Sequence, residues 1–305
     1  MNNSSEPRIE PRSGIERTLD NIFYWIAKIM ALAIAGVLVW ITIQVAIKAM
    51  PAMQKFGLGF MSTSSWNPVN SQYGVWPAIY GTLVSSFIAL AIAVPIGIGV
   101  AIFLSEDYFP PAVQRIIVFL VELLAAVPSV VYGLWGIFVL IPFLKGFTPL
   151  RGPGMLPAAL ILSVMILPTI AAIGRDAIAN VDDGLRQAAV GLGATRWEAI
   201  LQIVLPAASS GIIGGIMLAL GRALGETMAV TMLIGNSNKV AFDVFAPSNT
   251  VSSLLANQFA EASGLQVSAL MYAALILFLI TLVVNILAQL LVTRLRKIYI
   301  LDNIT

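Results

Sequence analysis

Six long apolar stretches, joined by shorter polar connections, decide what this chain can become. They run near residues 22–47, 76–104, 116–144, 155–173, 207–234 and 268–292, each 19 to 29 residues long. A hydrocarbon layer about 30 Å thick is crossed by roughly 20 apolar residues in a helix, so every stretch is long enough to span it. Only 10% of the 305 residues are charged, against about 25% in an ordinary soluble domain. Such a chain cannot clothe six apolar segments in water. Backbone N–H and C=O groups in lipid must be satisfied within the segment, which selects helices. The expected fold class is therefore all-α, a polytopic membrane protein of six transmembrane helices. Pro95, Pro128 and Pro168 fall inside spans and predict kinks supported by neighbouring helices.

Missing residue types exclude whole chemistries. The chain has no cysteine and no histidine. Disulfides, thiolate nucleophiles, the usual zinc sites, Ser-His pairs and imidazole proton relays are thus unavailable. There is no G-x-x-x-x-G-K-[ST] run, so any nucleotide chemistry must belong to another chain. A net charge of +2 does not suggest nucleic acid. The expectation is a protein that is not an enzyme and carries no cofactor or metal.

Lysine and arginine orient the spans. With a cytoplasmic tail at residues 1–21 and a transmembrane domain over 22–305, the inner segments hold Arg8, Arg12, Arg17, Arg115, Arg175, Arg186, Arg196, Arg294, Arg296 and Lys297. The outer segments hold Lys48, Lys55, Lys145, Arg151 and Lys239. Ten against five agrees with the positive-inside rule, placing both termini in the cytoplasm of a plasma (inner) membrane. Two outer segments are long, 48–75 and 235–267. They read as turn-rich connections or as a landing surface for an extracytoplasmic partner.

The cytoplasmic loop at 174–206 has its own pattern. Asp182 or Asp183 caps a short helix through Leu185, Ala188 and Ala189, which Gly191 and Gly193 end. Thr195-Arg196-Trp197-Glu198 reads as a capping box, and Trp197, Ile200, Leu201 and Val204 follow as one apolar helix face. Two short helices with a glycine joint suit docking to a soluble partner, or a helix lying flat on the membrane.

Gly221-Arg222-Ala223-Leu224-Gly225-Glu226-Thr227 interrupts the fifth span. Arg222 stands about 22 Å and 18 Å from the ends of that span at 1.5 Å per residue, close to the midplane. An arginine there costs at least about 2.5 kcal/mol and normally faces a cavity or partner. Glu226, four residues on, falls on the same helical face, where the pair can touch. An internal ion pair is one reading. An anion site is the other, because a guanidinium fork matches a tetrahedral oxyanion. A carboxylate beside that anion favours one bringing its own proton, as phosphate does and sulfate does not. Thr227 and Thr231 are candidates to line the path. Gly211, Gly215, Ala219 and Ala223, with Gly221 and Gly225, form small-residue stripes for close packing. Glu122 reads as reaching toward Arg115, Lys28 as snorkelling, and Asn285 with Gln289 as glue between helices. On residues alone, another oxyanion as cargo and an ATP-independent anion carrier or channel stay open.

Gln187-Ala188-Ala189, then Gly193, then Ile203-x-Leu205-Pro206 resembles the EAA motif of ABC-importer permeases, with both spacings kept and Gln187 in place of the usual glutamate. The stretches 214–231 and 126–136, and the segment from Tyr73 to Leu83, are similar to PstC-type permeases of high-affinity phosphate importers. The resemblance implies a type I ABC-importer permease fold and a path for phosphate at Arg222, Glu226, Thr227 and Thr231. It implies ATPase coupling through Gln187, Ala188, Ala189, Gly193, Thr195, Trp197, Glu198, Ile203, Leu205 and Pro206. The implied partners are a homologous PstA-type permease, two PstB-type ATPase subunits and a PstS-type phosphate-binding protein.

Overall fold

The computed structural model describes residues 14–106 and 110–302. Arg8 and Arg12 of the tail lie outside the described residues, as do the side chains of Arg17, Arg296 and Lys297. Ten helices follow among the described residues. They are α1 (Gly14–Phe56), α2 (Trp76–Ser105), α3 (Pro111–Ala126), α4 (Ser129–Lys145), α5 (Met155–Ala179), α6 (Asp183–Gly191), α7 (Arg196–Gly225), α8 (Met228–Leu233), α9 (Val251–Gln258) and α10 (Leu265–Asp302). Helices α1, α2, α5, α7 and α10 are each long and apolar enough to cross a membrane, and α3 with α4 forms a sixth, broken span bent by 94°. One end of that pair follows Glu106, which touches Arg186; the other leads to Gly154, whose N–H donates to the Leu233 carbonyl at 2.8 Å. The pair therefore carries the chain from one face to the other, giving six crossings.

The prolines act differently according to what replaces their missing hydrogen bond. Pro128 would have donated to the Leu124 carbonyl, and the Tyr132 hydroxyl donates there instead at 2.7 Å, stabilising the break between α3 and α4. The helices run unbroken through Pro95 and Pro168. Pro142 and Pro206 each sit just beyond a π turn, Gly136–Leu140 and Ile200–Val204. Widening the turn moves the carbonyl that the ring would strike and passes the bond to the residue before it: Ile141 N–H to Gly136, Leu205 N–H to Ile200. The fifth span thus grows continuously out of the loop helix at Arg196, where the sequence suggested a stop at Pro206.

The core centres on α5, the most deeply buried of the long apolar helices among the described residues. Small residues let α2 and α7 close on it from two sides. Added β-carbons would meet Ile170 at 2.8 Å from Gly97, Ala177 at 2.5 Å from Gly211, and Ile173 at 3.0 Å from Gly215. A second core joins the end of α1, a 3-10 turn (Gly57–Met61), α9 and α10. There Phe60 stacks on Tyr272 at 4.7 Å, and the Tyr272 hydroxyl donates to the Gly57 carbonyl at 3.2 Å. Most of α1 exposes large apolar side chains, as a lipid-facing surface does. Lys28 lies over the rings of Tyr24 and Trp25, its amine shielded by an aromatic pair.

The two long connections on one face differ in kind. A two-stranded hairpin, β1 (Trp66–Asn67) with β2 (Gln72–Tyr73), occupies the first. Burial against that second core holds the Tyr73 phenol above its usual range. The second connection is partly a plug and not simply a surface loop: Ser248, Asn249, Thr250, Ser252 and Ser253 are buried. Thr250 and Ser253 form a capping box at the start of α9, and the Val251 N–H donates to Thr82 Oγ1 on α2 at 3.0 Å. The landing-surface expectation therefore does not hold for 248–253. Leu58, Val69 and Phe242, by contrast, stand more than 80% exposed.

Candidate translocation site and coupling surface

Arg222 closes the C-terminal turn of α7, on the face that does not pack against α5. Gly214, Leu218, Arg222 and Gly225 share this open face. Gly214, Gly221 and Gly225 have nothing within 4 Å of an added β-carbon. The small-residue stripes therefore divide: Gly211, Gly215, Ala219 and Ala223 pack inside the chain, while Gly221 and Gly225 face outward. Arg222 lines a cavity of about 700 Å³ with Thr169, Gly214, Met217, Leu218, Gly221 and Asn285. Thr169 was not singled out from the sequence; a threonine directly after the intraspan Pro168 was its available signal. Asn285 was read as interhelical glue. Its amide instead donates to the Thr281 carbonyl of its own helix at 2.9 Å, while the side chain lines the cavity.

The expected contact between Arg222 and Glu226 is not made. The helix ends at Gly225, and Glu226 has extended backbone at φ −63°, ψ 126°. The four-residue spacing therefore no longer maps to one helical face. Among the described residues no ion pair joins the two. Glu226 instead accepts weakly from the Ala229 N–H at 3.4 Å in the short helix α8. Around this break, hydroxyls serve the backbone: Thr227 Oγ1 donates to Gly225 and Thr231 Oγ1 to Thr227, at 3.1 and 2.6 Å. Asn236 Nδ2 then donates to the Thr231 carbonyl at 2.8 Å. Of the four residues proposed for the path, Arg222 alone lines the cavity. Both broken spans meet here, since a β-carbon on Gly133 of α4 would stand 2.5 Å from Met232 Sδ and 3.4 Å from Ala229 Cα of α8.

On the other face, the loop between α5 and α7 follows its sequence signals closely. Asp182 caps α6, accepting from the Gly184 N–H at 2.6 Å. Gly193 adopts φ +92°, the left-handed turn that glycine permits most readily. Both halves of the Thr195–Glu198 capping box form. The Thr195 backbone and hydroxyl hydrogen bonds hold the Glu198 carboxyl below its usual range. A depressed pKa means the interaction is present above the unfolded value and is lost as pH falls through the folded one. The Thr195 and Glu198 amides are therefore expected to exchange hydrogen faster below pH 4 than at pH 7, after correction for intrinsic rates. Glu198→Gln, which leaves no carboxylate to titrate against the Thr195 N–H and hydroxyl, should remove that pH dependence.

The apolar face read from Trp197, Ile200, Leu201 and Val204 splits. Ile200 and Val204 are buried, while Trp197 and Leu201 are exposed. With Leu185, Val190 and Leu192 they present apolar side chains outward. Ala189 is buried. Gln187 lines a cavity of about 740 Å³ between α6, α7 and the end of α2.

Comparison with known proteins shows where this arrangement recurs. Residues 93–297 match the family described as binding-protein-dependent transport system inner membrane component. The chain is 42% identical over 296 residues to the phosphate transport system permease protein PstC of Mesorhizobium japonicum, covering 90% of each chain. It is 46% identical over 262 residues to the PstC of Pasteurella multocida, covering 79% of this chain and 82% of that one. Among solved structures, a bacterial ABC transporter that imports alginate matches with a TM-score of 0.61 at 18% identity, over 91% of this chain and 99% of that chain. The MetNI methionine ABC transporter matches with a TM-score of 0.51 over 74% and 94%. At these identities the solved structures speak to the fold alone.

Proposed function

Because the chain belongs to the binding-protein-dependent transport system inner membrane components, and within them to the PstC-type permeases, we propose that it is the translocating permease subunit of an ATP-driven phosphate importer. Arg222 carries this reading: a guanidinium deep in the fifth span lines an open cavity and has no carboxylate partner among the described residues. A charge left available at that depth calls for an anion. The outward face of Gly214, Gly221, Arg222 and Gly225 would be completed by a homologous PstA-type permease, so that the path runs between the two chains. Glu226, Thr227 and Thr231, at the break just beyond, would be the next groups an ion meets.

The loop at 174–206 would then be the coupling element, lying in the cytoplasm with both termini of this plasma-membrane protein. Its Gln187–Ala189 turn, Gly193 joint and Thr195–Glu198 cap would seat against one of two PstB-type ATPase subunits. Ile203, Leu205 and Pro206 would pass the movement into the fifth span through the π turn. Trp197, Leu192 and Leu201 supply the apolar area for that contact. On the opposite face, Leu58, Val69 and Phe242 would meet a PstS-type phosphate-binding protein. Alternating exposure of the cavity to the two faces completes the cycle, as transport against a gradient requires.

Selectivity tests the site. Glu226 would accept a hydrogen bond from protonated phosphate and repel fully ionised sulfate. Wild-type uptake of radiolabelled phosphate should resist a hundredfold excess of sulfate, and Glu226→Gln should become sulfate-sensitive. Equal competition by sulfate and phosphate in the wild type would instead point to a general oxyanion permease.

A further inference from the structure

Arg186 is the one arginine of α6, and its guanidinium reaches two other helices. Nη1 pairs with Glu106 Oε1 at the end of α2, across 80 residues of sequence. Nη2 donates to the Ile178 carbonyl in the last turn of α5 at 2.7 Å. Nε lies 3.8 Å from Asp183 Oδ1 one turn earlier on α6 and has no hydrogen-bond partner. Glu106 is itself anchored. Its N–H donates to Ile102 as the cap of α2, and its carbonyl accepts from Gln114 Nε2 of α3 at 3.0 Å. The side-chain pair thus ties the loop helix to the ends of α2 and α5, and the Glu106 main chain extends the link to α3. Both side chains are about four-fifths buried, at 21% and 18% exposure, whereas Asp183 beside them is 88% exposed.

We propose that Arg186 and Glu106 are positioning residues for transport, forming the joint that makes α2 follow α6 when the loop is moved. The inference rests on the importer reading above. Without the pair, movement of α6 would reach the bundle only along the chain, through the three-residue link to α5 and the π turn into α7, and α2 would lag. The guanidinium suits this role because two nitrogens hold separate helices at fixed angles, which an ammonium does less well. A static tether would lower the amount of assembled complex; a moving joint changes how efficiently hydrolysis becomes transport.

The test uses the complete complex in proteoliposomes, measuring ADP formed per radiolabelled phosphate imported. Arg186→Gln and Glu106→Gln should assemble, hydrolyse ATP within about twofold of wild type, and use at least tenfold more ATP per phosphate. The exchanged pair Arg186→Glu with Glu106→Arg should recover most of the loss. Wild-type stoichiometry in both single variants would overturn the joint. So would loss of assembly in both that the exchange does not repair, since that marks a folding contact. Because the chain has no cysteine, spin labels at Val190→Cys and Ile96→Cys test the joint independently of cargo. Their separation should stay constant on ATP binding with Arg186 present and change in Arg186→Gln; constancy in both would overturn the proposal. Absence of ATP-dependent phosphate uptake by the wild type would instead remove the importer reading, leaving the label distances to decide the joint.

Discussion

Arg222→Ala should lower phosphate uptake by about a hundredfold or more while leaving the complex assembled and its ATPase active. The side chain lines an open cavity and forms no ion pair with an acid among the described residues, so its loss removes charge from the path without opening a hole in the core. A bidentate arginine–phosphate contact makes two charge-assisted hydrogen bonds, each worth about 1.5–3 kcal/mol. At roughly 1.4 kcal/mol per tenfold, losing about 3 kcal/mol at the barrier gives that hundredfold. Arg222→Lys keeps the charge but loses the fork, and should retain about a tenth of the rate. Uptake and ATPase activity falling together, with the complex dissociating, would make Arg222 a structural residue. Thr169→Val and Asn285→Leu should be milder, because each removes one neutral polar group from the same cavity.

The largest effect on stability is expected at Gly81→Ala. A β-carbon there would stand 1.9 Å from the Asn249 carbonyl oxygen and 2.8 Å from Ser248 Oγ. Backbone must move, and the backbone concerned belongs to the buried plug. Asn249 Nδ2 donates to Asn238 Oδ1 at 2.7 Å, Ser253 Oγ donates to Asn249 Oδ1 at 2.5 Å, and Thr82 beside Gly81 accepts from Val251. Pushing the segment away breaks several bonds that no water replaces, at a cost of about 3 kcal/mol or more. The midpoint of thermal unfolding, followed by tryptophan fluorescence of the purified chain, should fall by roughly 5 °C. Gly99→Ala, on the same helix with nothing within 4 Å, is the matching substitution without a clash and should leave the midpoint nearly unchanged. Equal midpoints for the two variants would contradict the close seating of the plug on α2.

These two positions also mark how far residues alone could lead. The spans were legible because hydropathy acts locally: the start of α2 at Trp76 and of α5 at Met155 fall where the apolar runs begin. Caps were legible for the same reason, since Asp182 and the Thr195–Glu198 box satisfy N–H groups within three residues. Arg222 was legible because a charge in an apolar helix needs a partner. The break at Glu226 was not, because Leu-Gly-Glu-Thr contains no residue that must end a helix. Its geometry depends on α4 packing beside α8. Pro128 gave half a signal. That it bends the span by 94° while Pro95 and Pro168 leave theirs unbroken depends on Tyr132 reaching the Leu124 carbonyl. Contacts between distant segments were out of reach altogether, among them Gly81 against Asn249 and Arg186 against Glu106. So was the burial of Ser248–Ser253, whose composition reads as an exposed turn.

The most direct test of the importer assignment is uptake of radiolabelled phosphate into sealed vesicles carrying this chain with its partner subunits, with and without ATP on the side of the coupling loop. Uptake that requires ATP and the ATPase subunits, and that accumulates phosphate above the outside concentration, is the expected result. Phosphate movement at the same rate without ATP, stopping at equal concentrations, would contradict it and describe a channel or carrier instead.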